Sequence, residues 1–241
     1  MLQSNLSGKV EQLGLRFAGL PAKSVLGAVL RDGLLGRSAL VSSFGAEAAV
    51  LLHMVSEVAP DAPVLFIDTE MLFEETLAYQ RALSAQLGLR DVRVIRAAEA
   101  EIAAQDPDGT LHQRAPDACC TLRKTVPLQK ALTGFDGWIS GRKRFQGGAR
   151  EALPLFEAED GTGRIKVNPL ANWSPDQITA YFDAHALPRH PLSKRGYGSI
   201  GCAPCTARGA GRSGRWQGRD KSECGIHISP EGRVTRKGVP A

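Results

Sequence analysis

The apolar positions of the chain fall into short runs separated by longer segments of helical spacing. Residues 38–43 (SALVSS) and 63–67 (PVLFI) are two such runs. They are followed by the helix-compatible stretches 46–58 and 73–87. Further runs at 92–95 and 137–140 continue the alternation around a polar stretch, 105–117, which reads as a long loop. Strand and helix in alternation predict an α/β fold: a parallel twisted sheet with helices on both faces. Ser174-Pro175 supplies an N-cap and first helical position for a later helix ending near His185. Beyond Pro188 the chain turns glycine-rich, basic and aperiodic. The expected organisation is therefore an α/β domain over 1–188, with an irregular C-terminal segment over 189–241 packed on it and ending in a mobile tail.

In such sheets ligands bind beyond the carboxyl ends of the strands, which directs attention to the residues after each apolar run. These are Ser42-Ser43-Phe44-Gly45, Asp68-Thr69-Glu70 and Gly141-Arg142-Lys143-Arg144.

Composition narrows the picture. The chain has 241 residues, 43% of them apolar, enough for one sizeable core. It contains no run of eighteen apolar residues, and its first residues lack the basic flank and apolar stretch of a secretion signal, so no membrane span and a cytoplasmic location are expected. The net charge of +5 is modest, but Arg and Lys cluster from Arg189 to Lys237, which suits an anionic ligand.

Four of the five cysteines form an adjacent pair, Cys119-Cys120, and a C-x-x-C, Cys202-Ala203-Pro204-Cys205. This is the pattern of metal ligands, not of a secreted disulfide framework. Adjacent cysteines diverge too much to chelate one zinc comfortably, whereas in a 4Fe-4S cluster each thiolate meets a different iron, so the cluster is favoured. Lys124, one helical turn after Cys120, is placed to offset thiolate charge. Cys224 stands apart from both motifs. Flanked by Lys221 and His227, it has the surroundings that lower a thiol pKa and make a nucleophile.

These motifs carry a resemblance. CCTLRK at 119–124, GYGSIGCAPCT at 196–206, GRW at 214–216 and ECGIH at 223–227 resemble the assimilatory adenylyl-sulfate reductases that hold an iron-sulfur cluster. The related phosphoadenylyl-sulfate reductases share the ECG-x-H tail and typically lack the four cluster cysteines. The resemblance implies an adenine nucleotide alpha hydrolase-like fold with a modified pyrophosphate loop. It implies Cys224 as nucleophile, with Cys119, Cys120, Cys202 and Cys205 as cluster ligands. It implies Lys124, Arg150, Arg212 and Arg215 as cations for phosphate and sulfate, joined by His227. Ser42 and Ser43 fall in the modified loop, and Ile67, Asp68 and Thr69 form the strand end beside adenosine. The chain departs from the family at Ala48, where an acidic residue is common, and at Glu70, which ends an otherwise LDTG-like motif.

The implied reaction converts adenylyl sulfate to sulfite and AMP through a cysteine S-sulfonate. Thioredoxin or glutaredoxin then serves as reductant, because no C-x-x-C is left over. Reduction of the 3'-phosphorylated nucleotide is the near alternative. An ATP pyrophosphatase of the tRNA-thiolating type is a more distant one, disfavoured by a loop with one glycine and a bulky Phe44. A nucleic-acid binder would need more exposed aromatics than Tyr197 and Trp216 in the basic tail, so no nucleic-acid partner is expected. Whether the chain forms a homo-oligomer is not legible.

Overall fold

The computed structural model describes residues 2–159, 161–218, 221 and 223. The first helix, α1 (Leu2–Arg16), precedes α2 (Ala22–Leu26), which runs on into a π-turn (Gly27–Arg31). The strands are β1 (Ser38–Ser42), β2 (Val64–Ile67), β3 (Val92–Ile95), β4 (Gly137–Ile139), β5 (Phe156–Ala158) and β6 (Ile165–Val167). They form one sheet in the order β3-β2-β1-β4-β6-β5. Every pairing is parallel except that of β5 with β6. The helices between them are α3 (Ala48–Val58), α4 (Glu74–Gln86), α5 (Glu99–Gln105), α6 (Leu111–Arg114), α7 (Pro116–Cys120) and α8 (Val126–Ala131), with α9 (Pro175–Ala184) after the last strand.

Alternation along the central strands explains the two-sided burial. Leu40, Val64, Phe66, Ile139 and Val167 face a core completed by α1, α2, α3 and α9. Ala39, Val41, Leu65, Ile67 and Trp138 face the other way, onto Leu128, Leu132 and Phe135. Apolar residues on both faces are why these strands read as runs without polar interruption.

Three features differ from the sequence expectation. The polar stretch 105–117 contains α6 and the start of α7, because Asp106 caps the turn by accepting from Leu111 N–H at 2.7 Å. Sheet growth does not stop at β4, and the β5–β6 hairpin adds an antiparallel edge. Its three-residue strands are too short to show a period. Helices α7 and α8 are joined by a π-turn at Thr121–Thr125, which accommodates Pro127 two residues later by widening the ladder where its missing N–H would break it.

The glycine-rich segment after Pro188 is compactly folded in its described part. Tyr79 donates to Pro188 O, Thr76 bonds buried His190, and Arg195 pairs with Glu75, all from α4. Farther on, Ala203 N–H donates to Met71 O at 2.7 Å and Leu72 bridges Cys202. The C-x-x-C turn is thereby hung on the end of β2. No helix among the described residues is long and apolar enough to cross a membrane.

Candidate active site

The strand order turns back between β1 and β4, and a cavity of about 270 Å³ opens beyond the carboxyl ends of these two strands and β2. Ser42, Ser43, Ile67, Thr69, Lys124, Arg150, Arg212, Arg215 and Cys202 all line it. The structure thus brings together nine of the positions that the sequence singled out, from six separate segments.

Asp68 does not belong to this group. Its carboxylate turns away to accept from Arg96 Nε and Nη2 at 2.9 and 2.8 Å and from Glu70 N–H at 2.9 Å. Its work is to shape the turn after β2, and that turn places Thr69 inward. Cys224 and His227 lie outside the described residues. Glu223, immediately before Cys224, is described and buried.

The loop after β1 makes its tight turn with a phenylalanine in it. Phe44 takes a φ of +48° and inserts its ring into the core, edge-on to Phe66 at 5.3 Å. Burial of the ring offsets the cost of the left-handed backbone. Gly45 follows because the tail packs directly on it: a β-carbon there would lie 3.2 Å from Ile200 O.

The end of this loop carries a charge that sequence reasoning overlooked. Glu47, at the start of α3, accepts from Lys143 Nζ at 2.8 Å and Gln146 Nε2 at 3.1 Å. Burial is the main influence on Lys143 and pushes its pKa down, with Glu47 opposing. Arg142, also in the lining, is lowered to about 10, first by burial and then by Arg150. Both residues stand directly after β4, in the segment 141–144 that strand-end reasoning had marked without assigning roles.

On the opposite wall the cations are held by stacking. Trp216 takes a φ of +49°, and its ring carries Arg215 at 4.3 Å, Arg212 at 5.6 Å and Lys221 at 5.9 Å. Gly201 makes room for this wall, since a β-carbon would come within 2.4 Å of the Arg215 guanidinium.

The thiols lie beside the cations. Cys119, Cys120 and Cys202 are buried and Cys205 is partly buried, none of them in a disulfide. Thr69 Oγ1 accepts from Met71 N–H at 3.3 Å, which leaves its own hydrogen for Cys202 Sγ at 3.2 Å. Arg123, in the π-turn after α7, ties that turn to the same strand end, donating to Thr69 O at 3.0 Å and to buried Asp106 at 2.9 Å. Lys221 reaches Cys120 and Asp117. Burial, followed by the fields of Cys120 and Cys202, raises the Cys119 thiol to about 11, against Arg123. Among the described residues, no three His, Cys, Asp or Glu side chains converge on one ion position.

Comparison with known proteins bears on this arrangement. Residues 37–208 match the family model described as phosphoadenosine phosphosulfate reductase domain. An adenosine 5'-phosphosulfate reductase from Mesorhizobium japonicum is 51% identical over 195 residues, 79% of this chain and 76% of the relative. Another from Chelativorans sp. is 43% identical over 230 residues, covering 92% and 93%. Among solved structures, a phosphoadenylyl-sulfate reductase from Candida auris in complex with phosphate superposes with a TM-score of 0.69 at 28% identity. That match covers 82% of this chain and 96% of the other. A Candida glabrata FMN adenylyltransferase, at 16% identity and a TM-score of 0.56, shares the fold alone.

Proposed function

The chain belongs to the phosphoadenosine phosphosulfate reductase family, and we propose that it is an oxidoreductase converting adenylyl sulfate to sulfite and AMP in sulfate assimilation. One observation carries the reading: Lys124, Arg212 and Arg215 line the same strand-end cleft as Cys202, so cations and a thiol share one cavity. Ser42, Ser43, Ile67 and Thr69 line the same cleft at the ends of β1 and β2, where the adenosine half is assigned.

The sulfur of adenylyl sulfate is surrounded by anionic oxygens that repel a thiolate. Cations packed around the cleft offset that repulsion, in a partly dry site where their effect exceeds its value in water. Cys224 thiolate attacks the sulfur, the S–O bond to the nucleotide breaks with its electron pair leaving on AMP, and a cysteine S-sulfonate remains. An external dithiol of the thioredoxin or glutaredoxin class attacks the Cys224 sulfur, releasing sulfite and forming a mixed disulfide. Its second thiol closes its own disulfide and returns Cys224, so the dithiol supplies the two electrons.

Cys119, Cys120, Cys202 and Cys205 are assigned as ligands of a 4Fe-4S cluster. The donor set fits: four cysteines outside any disulfide, from two adjoining segments, with Thr69 and Lys221 aimed at two of them. Such a cluster spreads its ligands over separate corners and does not require convergence on one ion. When bound it would supply a fixed charge that orders the cationic wall and its neighbouring Lys124.

The ATP pyrophosphatase alternative meets a specific obstacle. Glu47 stands at the start of α3, with Lys143 and Gln146 as its partners. A pyrophosphate bound there would face this carboxylate. Sulfite release from adenylyl sulfate and reduced thioredoxin, with the 3'-phosphorylated nucleotide in parallel, tests the reading. Turnover of adenylyl sulfate supports it; pyrophosphate release from ATP without sulfite formation rejects it.

A further inference from the structure

Glu223 immediately precedes the cysteine assigned above as nucleophile, and its carboxylate is buried inside the cationic wall. Arg150 Nε and Nη2 donate to its two oxygens, the latter at 2.7 Å, in a bidentate fork. Arg212 Nη2 adds a contact at 3.5 Å. Arg150 also donates from Nη1 to Gln146 Oε1. All three nitrogens of the Arg150 guanidinium are thus engaged by protein, although the residue lines the cleft. The resemblance to the reductase family had assigned Arg150 to the substrate; the geometry gives its fork to the tail.

We propose that Glu223 is a positioning residue whose clasp with Arg150 docks the C-terminal tail and sets the approach of Cys224 to the cleft. This rests on the reading of Cys224 as nucleophile. A bidentate arginine–carboxylate pair fixes orientation as well as distance, which one hydrogen bond would not. The next α-carbon is about 3.8 Å along the chain, so fixing Glu223 confines the residue that follows. Lys221, two residues earlier, is held by Asp117 and the Trp216 ring. The tail is therefore gripped at two points just ahead of Cys224. Burial is the largest influence on Glu223 and raises its pKa, but Arg150, Arg212 and Arg142 together outweigh it and keep the carboxylate ionised.

The experiment compares full-length wild type, Glu223→Gln, Arg150→Gln and the exchanged pair Glu223→Arg/Arg150→Glu, with two readouts. The first is single-turnover release of AMP from adenylyl sulfate together with AMP affinity. Either single substitution is expected to slow the step on the order of tenfold to a hundredfold. AMP affinity should stay within about threefold, since the clasp holds the tail and not the nucleotide, and the exchanged pair should recover at least about tenfold. The second readout is the rate of tryptic cleavage after Lys221, which reports tail docking without turnover. It should rise on the order of tenfold in each single variant and fall back in the exchanged pair. Cleavage rates equal in all four proteins overturn the clasp. Loss of AMP affinity in Arg150→Gln with no rescue by exchange overturns it too, and returns Arg150 to the substrate. Cleavage behaving as expected in a wild type that releases no AMP keeps the clasp and rejects the reductase reading.

Discussion

The hydroxyl of Thr69 donates to the sulfur of Cys202 at 3.2 Å while accepting from Met71 N–H. The contact joins the end of β2 to the C-x-x-C turn. A hydrogen bond to a ligand sulfur favours the thiolate that a metal needs. Thr69→Val keeps the shape and removes the donor. If Cys202 holds the proposed cluster, iron should be lost from this variant to a chelator on the order of tenfold faster than from wild type. Equal rates of bleaching would show that the hydroxyl does not support the ligand.

Buried Lys143 and partly buried Glu47 form an ion pair in the cleft lining, 2.8 Å apart. Lys143→Met leaves the Glu47 carboxylate there without its cation, which should cost about 3 kcal/mol in urea unfolding. Adding Glu47→Gln should recover most of the loss. A double variant no more stable than the single would mean that the cost lies in packing and not in charge.

His190 sets an acid limit on stability. Leu192 N–H donates to its Nδ1, so the neutral ring carries its hydrogen on Nε2 and gives it to Thr76 Oγ1 at 3.0 Å. Burial lowers its pKa from 6.5 to about 4. Protonation therefore favours the unfolded chain: the contribution is whole above about pH 6.5 and is lost as the pH falls toward 4, up to about 3 kcal/mol. Urea midpoints taken from pH 7 to 5 should fall in wild type and flatten in His190→Gln. Parallel slopes would contradict the assignment.

Lys124 and Arg215 should act on the anionic substrate. Each alanine variant should raise KM for adenylyl sulfate on the order of tenfold, with thermal stability nearly unchanged for Arg215→Ala. The increase should shrink at high salt. An unaltered KM for Arg215→Ala would confine its guanidinium to stacking on Trp216.

The chain disclosed its central strands and most of its cleft for one physical reason. Strands buried on both faces, such as residues 38–42 and 64–67, must be apolar throughout, and ligands meet such sheets where the runs end. Ser42 and Thr69 were therefore singled out from position, and Lys124 from its place one helical turn after Cys120; all three line the cleft. The hairpin of β5 and β6 was not, because its strands are three residues long and Lys166 is buried there over the Trp138 ring, 4.7 Å from its centre. Nor was the order of the glycine-rich segment, which depends on backbone meeting backbone. A β-carbon on Gly198 would come within 2.6 Å of Gly211 N, and no periodicity announces such a contact. Glu47, Lys143 and Glu223 were missed as partners because ion pairs between residues 96 or 73 positions apart leave no local trace. Asp68 was read into the site from the resemblance, as part of the strand end beside adenosine, and its buried carboxylate pairs with Arg96 outside the cleft lining.

The central claim is that Cys224, alone among the five cysteines, takes the sulfonate. Wild type mixed with sulfur-labelled adenylyl sulfate, without a dithiol, should retain label on the C-terminal peptide that carries Cys224, and reduced thioredoxin should then release it as sulfite. Cys224→Ser should bind nucleotide, keep its iron and retain no label. Label on Cys119, Cys120, Cys202 or Cys205, or sustained sulfite production by Cys224→Ser, would contradict the account.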